Sequence, residues 1–256
     1  MKKLFDRILL AVTGALGDKR CPVCSALLRD TETMTGICPA CLQKLTEESA
    51  MLCPVCRNPV SACTCMGTGL SPLHIFLGDR TWLAHTWYMP DSGERVTEKL
   101  LLTCKKKYSR TLSRYIAEVM AADLARILPE NRRKGWILTY APRSEKGFRR
   151  HGFDQCAEIV RLLGQRLGIP VRQMLVRVGG GVQKDMETAA QRENNIAGAF
   201  AAVRVPEGCR VLLFDDIITT GATMRSAGEI LADAGAAAVF PVAYAKTVHP
   251  KWRNTK

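Results

Sequence analysis

Two neighbouring carboxylates behind an apolar run are the first residues here that could do chemistry. They lie in Val211-Leu212-Leu213-Phe214-Asp215-Asp216-Ile217-Ile218-Thr219-Thr220-Gly221-Ala222-Thr223. The apolar run reads as a strand buried on both faces of a parallel sheet. The acids follow at its carboxyl end, where open α/β sheets place their ligands. A short Thr/Gly loop leads into a helix over Met224 to Ala234. Such a loop presents backbone N–H groups of Thr220 to Thr223 to an anion, and the helix dipole adds to their pull. Thr219, Thr220 and Thr223 supply hydroxyls beside them. The loop therefore cradles a phosphate, but a carboxylate pair repels one. The partners of Asp215 and Asp216 must be hydroxyls or Mg²⁺. A ribose 5-phosphate satisfies both halves, with its phosphate in the loop and its 2- and 3-hydroxyls on the acids.

Cysteines form the second constellation. The chain has 11, and the pairs Cys21/Cys24, Cys38/Cys41, Cys53/Cys56 and Cys63/Cys65 fall close together near the amino terminus. Cys-x-x-Cys knuckles let two thiolates face one ion, and two knuckles complete a tetrahedral sulfur shell. The segment has few bulky apolar residues, so it needs a staple to fold. With no credible secretory signal, structural zinc is expected over disulfides. Cys21, Cys24, Cys38 and Cys41 make one complete set, and Cys53, Cys56, Cys63 and Cys65 a second. An interleaved pairing stays open. Cys104, Cys156 and Cys209 lie outside the cluster and read as small buried residues.

Positive charge is the third. The formal net charge is +13 over 256 residues, and Glu98 to His151 alone carries fourteen Lys/Arg against five Asp/Glu. Such a block attracts nucleic acid or multiply phosphorylated ligands, although a charge run is also an ordinary solvated face. Its densest part, Arg143-Ser144-Glu145-Lys146-Gly147-Phe148-Arg149-Arg150-His151-Gly152-Phe153-Asp154-Gln155, reads as a loop leaving a buried strand at Trp136 to Pro142.

The elements that must position these groups follow in order. Residues 1–18 read as an amphipathic helix, since Leu4, Phe5, Ile8, Leu9 and Val12 recur at helical spacing. The stretch superficially resembles a signal peptide, but Asp6 and Arg7 interrupt it. No apolar run reaches the roughly 18–20 residues that cross a bilayer, so a cytoplasmic chain without a membrane span is expected. Residues 19–68 form the cysteine module, Gly67 to Pro72 a linker, and residues 73–250 the main domain. There, strands at Thr81 to Tyr88, Trp136 to Pro142, Val171 to Val178, the Val211 run and Ala236 to Ala245 alternate with helical stretches. Those helices are Glu94 to Cys104, Thr111 to Leu128, Gln155 to Leu167 and Gln183 to Asn195. The alternation indicates an α/β fold with a doubly wound parallel sheet. Trp82, Trp87 and Tyr108 read as exposed aromatics, though aromatics at strand spacing more often pack in a core.

Val211 through Thr223 resembles the phosphoribosyl-pyrophosphate (PRPP) motif of type I phosphoribosyltransferases. It lacks the Gly-Lys-Ser/Thr of a Walker loop and the Gly-x-Gly-x-x-Gly of a dinucleotide fold. The whole layout resembles the ComF/ComFC/GntX family of bacterial competence-associated proteins. The cysteine pairs resemble its double zinc ribbon, and Lys105 sits where that family has a Leu-Lys-aromatic segment. Lys146 to Gln155 is similar to its Arg-Gly-Phe-Asn-Gln signature, with His151 in place of the Arg and Asp154 in place of the Asn. Gln183, Arg192, Asn195 and Ala199-Phe200 fit its remaining run. The resemblance implies a type I phosphoribosyltransferase-like sheet flanked by helices, preceded by a zinc module. It implies PRPP–Mg²⁺ as ligand, with Asp215 and Asp216 on the ribose. Thr219, Thr220, Gly221, Ala222 and Thr223 would hold the 5-phosphate. Lys105, Arg143, Lys146, Arg149 and Arg150 would face pyrophosphate or another polyanion. The acceptor of a phosphoribosyl transfer is left open. The alternative it implies is a PRPP-sensing factor that handles single-stranded DNA in transformation, alongside competence-machinery proteins.

Overall fold

The structure is a computed structural model and describes residues 20–29, 36–53, 56–63, 82–89, 95–178 and 199–247. The expected amino-terminal helix, the 67–72 linker, Cys65 and the 183–195 helix lie outside the described residues.

Parallel strands in the order β1-β6-β5-β2 make the main sheet, with β1 at Leu83–Tyr88, β2 at Trp136–Tyr140, β5 at Arg210–Ile218 and β6 at Ala238–Thr247. The central pair, β5 and β6, is buried along nearly its whole length, as the uninterrupted apolar runs require. Register runs from Arg210↔Ala238 to Ile218↔Lys246 between them, and from Trp136↔Arg210 to Tyr140↔Phe214 on the β2 side. A short antiparallel pair, β3 (Leu175–Arg177) and β4 (Phe200–Ala202), stands apart from that sheet. The expected Val171–Val178 strand thus shrinks to its last part, with Val171 bridging β2 alone.

Helices cover both faces. On one pack α1 (Pro39–Ser49), α2 (Val96–Lys106), α3 (Arg110–Ile127) and α5 (Gln155–Leu167), through Leu45, Leu100, Leu112, Ile116, Ile159 and Leu163 against Leu212, Phe214 and Phe240. On the other, α6 (Ala222–Asp233) sets Met224, Ala227 and Leu231 against Val211, Leu213 and Val239. Local chemistry explains the boundaries. Ser109 caps α3 by accepting from Leu112 N at 3.3 Å, and Asp154 caps α5 by accepting from Cys156 N at 2.9 Å. The stretch expected to be a loop after β2 contains a helix, α4 (Glu145–His151). Ser144 caps its start, and Gly152, at φ 75°, ends it in the left-handed region where glycine carries no steric cost.

The cysteine segment is not a separate body. Cys21, Ile37, Cys38, Cys41 and Leu45 belong to the first core, while Cys53, Val60 and Cys63 belong to the second. Two sets of polar bonds tie it on. Glu48 Oε1 and Oε2 accept from Val96 N and Thr97 N, both at 2.9 Å, and Trp87 Nε1 donates to the Met51 carbonyl at 3.0 Å. Trp82 and Trp87 are 3% and 2% exposed, which corrects their reading as surface aromatics. Tyr108 is 52% exposed, as that reading has it. Among the described residues no helix is long and apolar enough to cross a membrane.

Candidate functional site

The two acids lie inside β5, with strand pairing continuing past them to Ile218. On a regular strand, neighbours point to opposite faces. Here Leu212 and Phe214 pack in the first core and so does Ile217, while Val211, Leu213 and Ile218 pack in the second. The alternation therefore slips across Asp215 and Asp216 while the register with β6 is kept. Both carboxylates consequently line one cleft of about 220 Å³, together with Lys105, Arg143, Ser144, Asp154, Gln155, Cys156, Arg177 and Thr223. The ends of β2 and β5, the starts of α5 and α6, and Arg177 of β3 all contribute to its wall.

Asp216 is the better buried of the two acids. Its Oδ2 accepts from Gln155 Nε2 at 2.9 Å and lies 3.3 Å from Lys105 Nζ. Asp215 Oδ1 accepts from the Asp216 amide at 2.8 Å and lies 4.0 Å from Cys156 Sγ. Burial, then the charge of Asp216, pushes the Asp215 carboxyl up to about 8, against the opposing pull of the Asp216 amide and Lys105. Burial works against the charge of Lys105, yet Asp216 and Asp215 outweigh it and raise the amine above its ordinary value. Burial and both aspartates drive the Cys156 thiol well up, so it is a neutral wall of the cleft rather than a thiolate. Gln155 is buried, and its Oε1 has no hydrogen-bond partner in the structure.

The Thr/Gly loop adjoins the cleft through Thr223. Gly221 takes φ 80° at the N-cap of α6, and the Thr220 hydroxyl accepts from Ala222 N at 3.3 Å, which holds the turn. Gly221 and Ala222 are buried, Thr223 faces the cleft, and Thr219 and Thr220 are exposed at the tip. The basic residues divide. Arg143 donates from NH1 to the Phe153 carbonyl at 3.2 Å and from NH2 to the Lys105 carbonyl at 2.7 Å, with its guanidinium 5.3 Å from the Phe153 ring centroid. It thus braces the cleft wall. Lys146, Arg149 and Arg150 are exposed on α4 outside the cleft lining, and Arg149 pairs with Glu145 one turn back.

Asp154 explains its own departure from the resembled signature. Oδ1 caps α5 while Oδ2 accepts from Arg143 N at 2.7 Å, so both oxygens accept and an amide could match only one. His151 Nδ1 donates to the Lys106 carbonyl at 3.3 Å, which pins the end of α4 against α2. Ser144, Gln155, Cys156 and Arg177 line the cleft without a role in the sequence reading. Cys156 reads there as a plain core residue. Arg177 was one cation at a strand end, and only the β3–β4 pairing, with its guanidinium 5.2 Å from the Phe200 ring centroid, brings it here.

The cysteines gather as two separate groups, not interleaved. The ligand atoms of Cys21, Cys24, Cys38 and Cys41 lie within 4.8 Å of one another, as do those of Cys53, Cys56 and Cys63, while Cys65 is outside the described residues. Tetrahedral zinc at about 2.3 Å from sulfur requires sulfurs about 3.8 Å apart. Cys24 to Cys38 at 3.5 Å and Cys56 to Cys63 at 3.7 Å fit that spacing. Ser25 and Arg57, each four residues past the first cysteine of its pair, donate back to the carbonyls of Cys21 and Cys53 at 2.8 and 2.9 Å and take positive φ of 64° and 59°. Burial raises Cys21, but amides of Cys38, Cys24 and Val23 outweigh it and bring the thiol down to about 7. Burial raises Cys38 and Cys41.

A parallel sheet flanked by helices, with an acid pair and a Thr/Gly loop where a central strand meets its helix, defines a type I phosphoribosyltransferase-like fold. Comparison with known proteins bears out the ComF-family resemblance. The chain is 26% identical to the DNA utilization protein YhgH of Salmonella typhimurium over 217 residues, which is 81% of this chain and 95% of that one. It is 25% identical to the competence protein ComFC of Bacillus subtilis over 228 residues, 79% of this chain and 80% of that one. No family model matches the chain. Among solved structures, a hypoxanthine phosphoribosyltransferase from Staphylococcus aureus is similar at 15% identity and a TM-score of 0.35, covering 59% of this chain and 82% of that one. That likeness is too loose to carry residue roles.

Proposed function

We propose that the cleft binds PRPP with Mg²⁺ and supports phosphoribosyl transfer to an acceptor that the residues do not identify. The observation that carries this reading is the convergence of Asp215, Asp216 and Lys105 beside Thr223 at the start of α6. The loop amides and the α6 dipole suit the 5-phosphate. The carboxylates suit the ribose hydroxyls, and Lys105 suits the pyrophosphate. Mg²⁺ arrives as part of the substrate complex and spreads the pyrophosphate charge. The acceptor's lone pair forms a bond to the anomeric carbon as the bond to pyrophosphate breaks, and the electron pair leaves with pyrophosphate. The acceptor's proton passes to the departing pyrophosphate or to water. Positive charge develops on the ribose in between, and the Asp216 carboxylate, held in place by Gln155 and Lys105, favours it by preorganised electrostatics.

A second reading has its own observation. Tyr108 and Phe148 are 52% and 51% exposed, and Lys106, Lys107, Arg149 and Arg150 beside them are exposed too. Basic surface with stacking aromatics suits single-stranded nucleic acid, in keeping with the names of the two relatives, a DNA utilization protein and a competence protein. With Trp82 and Trp87 buried, that surface is narrower than the sequence suggested. The readings are compatible, and competence proteins are the natural partners of the second.

One panel tests both. Thermal shift with PRPP–Mg²⁺, nucleobases and single-stranded oligonucleotides is expected to show stabilisation by PRPP–Mg²⁺ that Asp215→Ala and Asp216→Ala each abolish. Unchanged stabilisation in either variant overturns the phosphoribosyl reading. Oligonucleotide binding is expected to fall with salt and with neutralisation of Arg149 and Arg150, and to survive the aspartate changes. Binding insensitive to both salt and those arginines removes the second reading.

A further inference from the structure

We propose that Glu48 is a positioning residue for the cleft, coupling the first cysteine group to Lys105 through the length of α2. Cys38 is the N-cap of α1 and Cys41 stands in its first turn, so the cysteine group fixes its beginning. Ile37 and Leu45, each 1% exposed, lock it into the core shared with Leu100 and Leu101 of α2. At the far end of α1, Glu48 reaches across 48 residues of sequence to the start of α2. There Oε1 and Oε2 accept from Val96 N and Thr97 N at 2.9 Å each. Arg95, the N-cap of α2, makes no side-chain cap of its own. Glu48 therefore satisfies two of the amides that a helix start leaves without internal partners, and its charge faces the positive end of the dipole.

Helix α2 is eleven residues long and delivers Lys105 from its last turn, with Nζ 3.3 Å from Asp216 Oδ2. Arg143 anchors that end through the Lys105 carbonyl at 2.7 Å. The helix is held at both ends, and its placement along its axis sets where the amine stands. Arg95 NH2 also reaches Met51 Sδ at 2.9 Å, but the Glu48 carboxylate is what grips the first amides of the helix bearing Lys105. Removing its charge weakens the grip without emptying the core, because Glu48 contributes hydrogen bonds rather than packing.

The experiment uses zinc-loaded full-length protein and two readouts. In the first, lysines are acylated with limiting acetic anhydride and mapped by mass spectrometry. Lys105 is expected to react several-fold more slowly than exposed Lys106 and Lys107. In Glu48→Gln its rate should rise toward theirs while zinc content is retained. A Lys105 rate unchanged in Glu48→Gln overturns the proposal. The second readout, which rests on the phosphoribosyl reading, is PRPP–Mg²⁺ affinity by calorimetry. Glu48→Gln should raise Kd roughly fivefold, the effect of losing one good cap. In a Lys105→Ala background the same change should do nothing further, whereas additive losses would show that Glu48 acts elsewhere. If the unaltered protein binds no PRPP–Mg²⁺, the phosphoribosyl reading falls and the acylation result still decides the role of Glu48. Should Glu48→Gln not fold, Glu48→Asp, which keeps the charge and shortens the reach, gives the same comparison.

Discussion

Asp215 and Asp216 are neighbours in sequence with different tasks in the free protein. Asp216 is committed to Gln155 and Lys105, whereas among the described residues Asp215 has the Asp216 amide and the Cys156 sulfur within reach. Burial and the adjacent charge push Asp215 from its ordinary 3.8 up to about 8, so the folded chain keeps a proton there that the unfolded chain releases. Stability from this group is full below about pH 4 and is lost as pH rises through about 8. Thermal melts between pH 5 and 9 are expected to show stability falling with pH, by at most about 1.4 kcal/mol per pH unit for one proton. Asp215→Asn should flatten that slope, and a slope equal to that of the unaltered protein would show that Asp215 titrates elsewhere. The acid pair was legible from residue types alone, because two carboxylates before a Thr/Gly turn admit few ligands. The loss of strand alternation that turns both acids into one cleft was not, since it depends on how β5 twists against its neighbours.

Elements with strong local signals were also legible. Helix α5 was read as Gln155 to Leu167 and is Gln155–Leu167, because Asp154 caps one end and Gly168 takes the left-handed turn at the other. Helix α4 was missed: seven residues rich in charge show no apolar stripe, and only its Ser144 cap and Gly152 stop mark it. Contacts between elements were out of reach altogether. Gly164 shows one. A Cβ there would lie 2.3 Å from Val171 Cγ2 and 2.8 Å from the Ile169 carbonyl oxygen, so α5 and the chain after it touch without room for a methyl group. Gly164→Ala is expected to cost about 1–3 kcal/mol, seen as a lower midpoint in urea with an unchanged slope. The backbone oxygen cannot swing aside as a side chain could. A midpoint equal to that of the unaltered protein would mean that the segment after α5 relaxes freely.

At the scale of the whole molecule, the sulfur groups and the phosphoribosyltransferase-like domain form one packed unit. The first group shares its core with the face under α2, α3 and α5, and the second with the face that carries Trp82 and Trp87. Metal removal should therefore weaken the entire chain. Calorimetry after chelation is expected to show a single transition at lower temperature, because ligand thiolates and sheet unfold together. Two transitions, with the upper one unmoved, would show that the sheet stands without its sulfur groups. Spacing alone pointed to zinc, but no residue pattern announces that cysteines double as core. Strand β1 lies at one end of the sheet among the described strands, with sulfur groups packed toward both of its faces. Oxidants that strip thiolates from an ion would loosen that clasp and bare a row of main-chain donors and acceptors. Redox stress would then reach this protein both as self-association by strand addition and, through Glu48 and α2, as a displaced Lys105 at the cleft.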